Sequence, residues 1–130
     1  MKNIAIRENH LYKKTYVGGA KAAGKYTVIY VLKDKKAYLL KKQNPQKEYV
    51  NRIGLAVSKK IGGAVQRNRV KRVIRAALSE YEKQFGLKKG YLVVIAAREA
   101  ATEVMSNEVF EEMVKQFRRL NMTQSEKSEQ

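Results

Sequence analysis

A stretch from Ile53 to Arg75 decides the fold, and it reads IGLAVSKKIGGAVQRNRVKRVIR. Its apolar beginning predicts a strand over residues 52–57. A pair of adjacent glycines then interrupts regular structure. Beyond the glycines, apolar residues recur with the period of a helix, which predicts one long helix over residues 64–85. The centre of the fold is therefore a strand followed by a long helix.

The predicted helix has two chemically different faces. At about 100° per residue, its polar side chains fall on one arc and its apolar side chains on another. The polar arc holds Arg67, Asn68, Arg69, Lys71, Arg72 and Arg75, and the apolar arc holds Val70, Val73, Ile74, Ala77, Leu78 and Tyr81. The apolar face can pack on a sheet while the other face presents five cations and an amide to solvent.

The rest of the chain supplies further elements on both sides of this helix. Hydrophobic periodicity and turn residues predict the following segments: a helix over 9–17, a basic connection over 21–25, a strand over 26–32, a turn over 33–36, a strand over 37–40, a strand over 91–96 and a helix over 106–120. The order α-β-β-β-α-β-α predicts an α+β or a mixed α/β sandwich. We expect one domain over residues 1–120 and a flexible polar tail over 121–130.

Positive charge is concentrated in the first part of the chain. The 130 residues carry 28 Lys and Arg against 12 Asp and Glu, which gives a formal net charge of +16. Residues 1–75 hold 20 basic and 3 acidic side chains, a balance of +17, whereas residues 76–130 hold 8 and 9, a balance of −1. Such an excess in a compact body predicts a polyanionic partner.

An ordinary solvated helix face is the simpler explanation of the cations, and the pattern of charges argues against it. No Asp or Glu occurs between Glu48 and Glu80. Arg67, Lys71 and Arg75 follow each other at spacings of four, where like charges destabilise a helix. Neutralised phosphates would release counterions and give affinity that depends on salt. The helix is therefore predicted to bind nucleic acid.

Several classes of protein are excluded by composition. The chain has no cysteine, so disulfide scaffolds, thiolate metal sites and cysteine nucleophiles are ruled out. No apolar run approaches the roughly 18 residues of a membrane span. The first residues lack the apolar stretch of a signal peptide, and we expect a cytoplasmic protein.

The stretch quoted above closely resembles the signature of the protein component of bacterial ribonuclease P. The hallmark of that family is an Arg-Asn-Arg helix, matched here by Arg67-Asn68-Arg69. The resemblance extends over about residues 7–120. It implies a mixed four-stranded sheet with a left-handed crossover around this helix, against the usual right-handed rule. The segment over residues 33–51 is longer than the family pattern.

The resemblance also implies a function and two sets of site residues. It implies a subunit that assists a catalytic RNA in removing the 5′ leader from precursor tRNA. The residues implied to bind the RNA subunit are Lys59, Lys60, Arg67, Asn68, Arg69, Lys71, Arg72 and Arg75. Those implied to line a cleft for the single-stranded leader are Tyr12, Tyr16, Tyr30, Lys71 and Arg75. Spacing alone leaves core packing open as the role of the three tyrosines.

The chain offers few groups for catalysis of its own. A protein nuclease needs a general base, a nucleophile or clustered carboxylates for metal, yet the basic part holds only Glu8, Asp34 and Glu48, far apart in sequence. We therefore expect no catalytic or metal-ligating residues in the protein, and Mg²⁺ used by the RNA subunit. Two alternatives stay open at this point: a ribosomal protein that binds folded RNA, and a stand-alone metal-dependent nuclease.

Overall fold

The structure is a mixed sheet with helices on both faces. It is a computed structural model that describes residues 4–36, 39 and 51–124. The strands are β1 (Ile4–Ala5), β2 (Ala20–Ala23), β3 (Thr27–Lys33), β4 (Arg52–Ala56) and β5 (Tyr91–Ala97). The helices are α1 (Asn9–Gly18), α2 (Ala64–Gln84) and α3 (Ser106–Arg119), with short 3₁₀ turns at Lys59–Ile61 and Glu99–Glu103.

The strands lie in the order β1-β4-β5-β3-β2. Strand β4 is parallel to both β1 and β5, whereas β3 is antiparallel to β5 and to β2. Because β4 and β5 are parallel neighbours, α2 is the crossover that joins them. The left hand of this crossover stays a prediction.

The two faces of the sheet are covered unequally. Alternation along each strand sends Ile29, Val31, Val93 and Ile95 to one face, where they form a large core with α2 and α3. The other face carries a smaller core beneath α1, formed by Ile6, Leu11, Leu92 and Val94. Helix α1 therefore covers only part of its face of the sheet.

The predicted α+β class and element order are confirmed, but one strand was assigned wrongly. Apart from the two-residue β1, the order is α-β-β-β-α-β-α, with four main strands in the sheet. The basic connection predicted over 21–25 overlaps β2, whose Ala-Lys-Ala-Ala sequence has no strand propensity. The strand predicted over 37–40 is contradicted at Leu39, which has a helical backbone like Lys35 and Lys36; its other three residues lie outside the described ones.

The start of the predicted flexible tail is packed against the body of the protein. Met122 is buried, and Thr123 forms a β-bridge with Leu87. The hydroxyl groups of Thr123 and Tyr81 lie 2.7 Å apart in a hydrogen bond. The left-handed backbone of Asn121, with φ of 59°, turns the chain back toward α2. The ordered body therefore extends beyond residue 120, and residues 125–130 lie outside the described part.

A buried ion pair joins the end of β3 to the start of β4. Arg52 donates from Nε and Nη2 to the two carboxylate oxygens of Asp34, at 2.7 and 2.9 Å. Glu8, just before α1, lies 3.6 Å from Nη1 of the same guanidinium. The hydrogen bond to Asp34 raises the pKa of Arg52. A bidentate arginine–carboxylate pair of this kind fixes the relative position of its two residues and also stabilises the fold.

A carboxylate of α3 holds the hairpin between β2 and β3. Glu112 accepts hydrogen bonds from the backbone N–H groups of Lys25, Tyr26 and Thr27, at 2.6 to 3.1 Å. Gln116, one turn farther along α3, donates to the carbonyl oxygens of Ala22 and Thr27. These bonds satisfy backbone groups at the turn and keep β2 in the sheet.

Candidate nucleic-acid interface

The polar face of α2 carries its charge toward solvent. Asn68, Arg72 and Arg75 are exposed, while Arg67 and Lys71 are half-buried. No cation of this helix face takes part in an ion pair with any residue that the structure describes. An arginine without an internal partner keeps its fork of N–H donors available for phosphate.

Arg69 differs from the other cations of α2. Its guanidinium donates from Nη1 to the carbonyl oxygen of Thr102 at 2.6 Å and from Nη2 to that of Val104 at 3.2 Å. Both acceptors belong to the segment that follows β5. These bonds hold the Arg69 guanidinium against the residues that follow β5. One role of Arg69 is therefore to brace α2 against that segment.

Lys59 and Lys60 precede α2 in a 3₁₀ turn and are exposed. They extend the positive surface beyond the first turn of the helix. The Nε–H of Arg67 is buried and has no hydrogen-bond partner among the described residues. A buried donor without a partner costs free energy.

A groove separates α2 from the edge of the sheet. It has a volume of about 500 Å³, and Lys71 and Arg75 of α2 line one side of it. Tyr12 of α1 and Gly54 of β4 line the other side. The groove therefore combines two cations with an aromatic ring, which is the composition of single-strand binding sites.

Gly54 makes room for the ring of Tyr12. A Cβ atom at residue 54 would lie 2.5 Å from the Tyr12 hydroxyl oxygen, closer than any side chain allows. Burial raises the pKa of Tyr12, and a backbone hydrogen bond with Leu55 partly offsets the rise. The glycine thus lets a neutral tyrosine lie directly on β4.

Tyr16 and Tyr30 form a pair of aromatic rings on the α1 face of the sheet, the face that also carries Tyr12. Their ring centroids are 4.8 Å apart and the rings are nearly perpendicular, at 75°, an arrangement that aromatic pairs favour. Tyr16 is 40% exposed. Burial raises its pKa, and repulsion from Tyr30 and Tyr12 adds to the rise. At neutral pH the Tyr16 phenol is therefore uncharged.

The structure brings together most of the implied cleft residues. Tyr12, Lys71 and Arg75 line one groove, and the Tyr16–Tyr30 pair lies on the same face of the sheet as Tyr12. The need for Gly54 was missed, although a glycine inside an apolar strand is a known sign of close approach. The acceptors of Arg69 were also missed, since backbone carbonyls carry no sequence signal.

Two features are absent from the described residues, a metal-binding cluster and a membrane-spanning helix. Within residues 4–36, 39 and 51–124, no three His, Asp or Glu side chains come together in a way that could hold a metal ion. In the same part of the chain, no helix is both long and apolar enough to cross a membrane.

Comparison with known proteins gives a consistent family. A family model described as Ribonuclease P matches residues 1–121. The Ribonuclease P protein component of Clostridioides difficile (strain 630) is 35% identical over 106 residues, which cover 80% of this chain and 80% of that protein. The protein of the same name from Bacillus cereus (strain B4264) is 32% identical over 126 residues, or 97% of this chain and 98% of that one.

Solved structures agree on the fold. The RNase P protein of Staphylococcus aureus superposes with a TM-score of 0.69 at 23% identity, covering 91% of this chain and 95% of that one. The protein from Thermotoga maritima gives 0.63 at 21% identity, covering 88% and 94%. These likenesses confirm the predicted α+β fold.

Proposed function

The chain belongs to the ribonuclease P protein family, and on that premise we propose how it takes part in tRNA processing. It binds the catalytic RNA of ribonuclease P through the polar face of α2. It binds the 5′ leader of precursor tRNA through the groove and tyrosine pair beside that helix. Its place of action is the cytoplasm, since the proposed substrate is newly transcribed RNA.

The cations of α2 support the contact with the RNA subunit. Arg72 and Arg75 are exposed, and neither takes part in an ion pair with another described residue. Phosphate contacts of this kind give affinity without sequence preference and position the partner. The exposed amide of Asn68 adds a group that can hydrogen-bond a 2′-hydroxyl or a base edge. Lys59 and Lys60 continue the same surface.

The single observation that carries the leader assignment is the groove shared by Tyr12, Lys71 and Arg75. A single strand has bases that stack on aromatic rings and phosphates that bind cations. The Tyr16–Tyr30 pair offers a further stacking surface, because its outer tyrosine is partly exposed. Burial raises the pKa of Tyr12 and of Tyr16, so these two phenols are uncharged and can stack without repelling phosphate.

The proposal assigns the breaking of the phosphodiester bond to the RNA subunit, together with the Mg²⁺ that it uses. The protein's part is to bind and orient the substrate. Two of its carboxylates that could otherwise serve in catalysis hold the fold: Asp34 pairs with Arg52, and Glu112 caps a hairpin. The excess of positive charge would also screen repulsion between the two RNAs, which lowers the Mg²⁺ concentration needed for cleavage.

Reconstitution tests this function. The purified chain, mixed with the RNA subunit, should cleave precursor tRNA at the mature 5′ end and do so at lower Mg²⁺ than the RNA alone. Cleavage without added RNA would instead indicate a stand-alone nuclease. Binding to folded RNA with no effect on cleavage would indicate a ribosomal type of protein.

Substitutions separate the two proposed surfaces. Tyr16→Ala should leave assembly with the RNA subunit intact while it lowers affinity for precursor tRNA relative to mature tRNA. Arg67→Ala should weaken assembly and reduce its dependence on salt. Equal losses of precursor and mature tRNA binding in Tyr16→Ala would contradict the leader assignment.

A further inference from the structure

One row of residues crosses the α1 face of the sheet from the groove to the opposite edge. Gly54 of β4 is paired with Val94 of β5, which is paired with Tyr30 of β3. Tyr30 is in turn directly opposite Lys21 of β2. Side chains that are directly opposite in neighbouring strands share a face and lie about 5 Å apart at Cβ. Lys21 therefore stands beside the Tyr16–Tyr30 pair.

The contacts of Lys21 give it no role in holding the fold together. It is exposed, and it takes part in no ion pair with the described residues. Its neighbour Ala22 is buried against α3, so the strand is held from the opposite face. Gln116 donates to the Ala22 carbonyl oxygen at 3.1 Å, and Arg119 donates to that of Ala23 at 3.4 Å. A fixed strand thus presents a free cation.

We propose that Lys21 binds a phosphate of the leader at the end of this row farthest from Lys71 and Arg75. The inference rests on the proposed function, since it names how far the leader extends. Three strand spacings separate β4 from β2, a distance of about 14 Å. The leader then runs from the α2 groove over the tyrosine pair to the outer strand, with cations at both ends of its path.

A competing explanation is that Lys21 only protects an edge strand from pairing with other chains, as lysines often do. That role would affect solubility and would not depend on the leader. The two explanations therefore differ in whether the effect of removing the charge follows leader length.

The test uses the complex of the full chain with its RNA subunit and a series of precursor tRNAs whose leaders grow one nucleotide at a time. Lys21→Ala should weaken binding of long-leader precursors about fivefold and reduce the salt slope by about 0.7, the amount for one single-strand phosphate. It should leave short-leader precursors and mature tRNA unchanged. Tyr12→Ala should weaken binding already at shorter leaders than Lys21→Ala does. Lys21→Arg should keep the affinity of the unchanged protein for long-leader precursors.

Lys25→Ala is the matched control, because Lys25 lies in the same hairpin but stands over the ring of Tyr26, which packs into the core of the other face. It should bind every precursor like the unchanged protein. An equal loss in Lys25→Ala, or a loss in Lys21→Ala that is the same for all leader lengths, would overturn the inference. If Lys21→Ala loses no affinity for long-leader precursors while Tyr16→Ala still lowers the preference for precursor over mature tRNA, the role of Lys21 is overturned. The proposed function then stands. No leader effect from either residue would overturn the proposed function as well.

Discussion

Helices α2 and α3 both carry many charged side chains, yet they use them in opposite ways. On α3, Glu112 accepts three backbone N–H groups of the hairpin, and Arg119 donates to a carbonyl of β2. On α2, Arg72 and Arg75 are exposed and form no ion pair with the residues that the structure describes. These charges of α3 hold the protein together, whereas Arg72 and Arg75 of α2 are available to another molecule.

The role of a charged side chain therefore depends less on its sign than on whether its partner lies within this chain. Substitution of an α3 charge with an internal partner should therefore change stability, and substitution of a free α2 charge should change RNA binding.

The largest effect is expected at Glu112. Glu112→Ala leaves the amides of residues 25–27 without their acceptor, which should lower the free energy of unfolding by about 3 kcal/mol. Urea denaturation measures this loss. Glu111→Ala, at an exposed residue of the same helix, is the control and should change stability by less than about 0.5 kcal/mol. A similar loss in both variants would show that the hairpin bonds contribute little.

Arg69 should show an intermediate and mixed result, because it lies on α2 but bonds to this chain. Arg69→Ala removes two bonds to the carbonyls of Thr102 and Val104, and should lower the free energy of unfolding by about 1 to 2 kcal/mol. Its affinity for the RNA subunit should fall as well. Thermal unfolding and RNA titration of the same preparation measure both. An unchanged unfolding temperature would mean that the brace is not needed.

Arg72 and Arg75 should affect binding alone. Arg72→Ala and Arg75→Ala should each reduce affinity for the RNA subunit severalfold and its salt slope by about 1. Their stability should stay within about 0.5 kcal/mol of the unchanged protein. Filter binding at several salt concentrations measures the slope. Lys83→Ala, near the end of the same helix, serves as the control for a general effect of charge.

The smallest effect is expected when the pH is varied between about 7 and 9 and the preference for precursor tRNA is measured. Since the pKa of Tyr16 is raised above its ordinary value, the phenol stays protonated in this range, and the preference for precursor tRNA should not change. Above a pH of about 10 the unfolded chain ionises first, so the contribution of Tyr16 to stability is lost as the pH rises through its folded pKa. The free energy of unfolding should therefore fall less steeply with rising alkaline pH in Tyr16→Phe than in the unchanged protein. A preference that changes below pH 9 would contradict the assignment.

The elements with strong periodicity could be predicted from the sequence nearly to the residue. Helix α2 was predicted over residues 64–85 and is Ala64–Gln84; the last helix was predicted over 106–120 and is Ser106–Arg119. Strand β2 could not be predicted, because its residues favour no strand and are held there by Gln116 and Arg119 of α3. Contacts between distant parts of the chain thus decided what local preference did not.

The candidate site was predictable in part for a similar reason. The period of the helix places Lys71 and Arg75 on one side of it, and the structure puts both in the groove with Tyr12. The same period does not say what lies opposite Arg69, whose acceptors come from more than thirty residues farther along the chain. The row that ends at Lys21 depends on the register of β2, a strand that the sequence did not reveal.

The ion pair between Asp34 and Arg52 has a practical consequence for work on this protein. It fastens the residue that follows β3 to the first residue of β4. The entropy of closing a loop rises only slowly with its length once the ends are held. A peptide tag or a fluorescent label inserted between these two residues should therefore leave β3 and β4 in register, and it would allow assembly to be followed in solution.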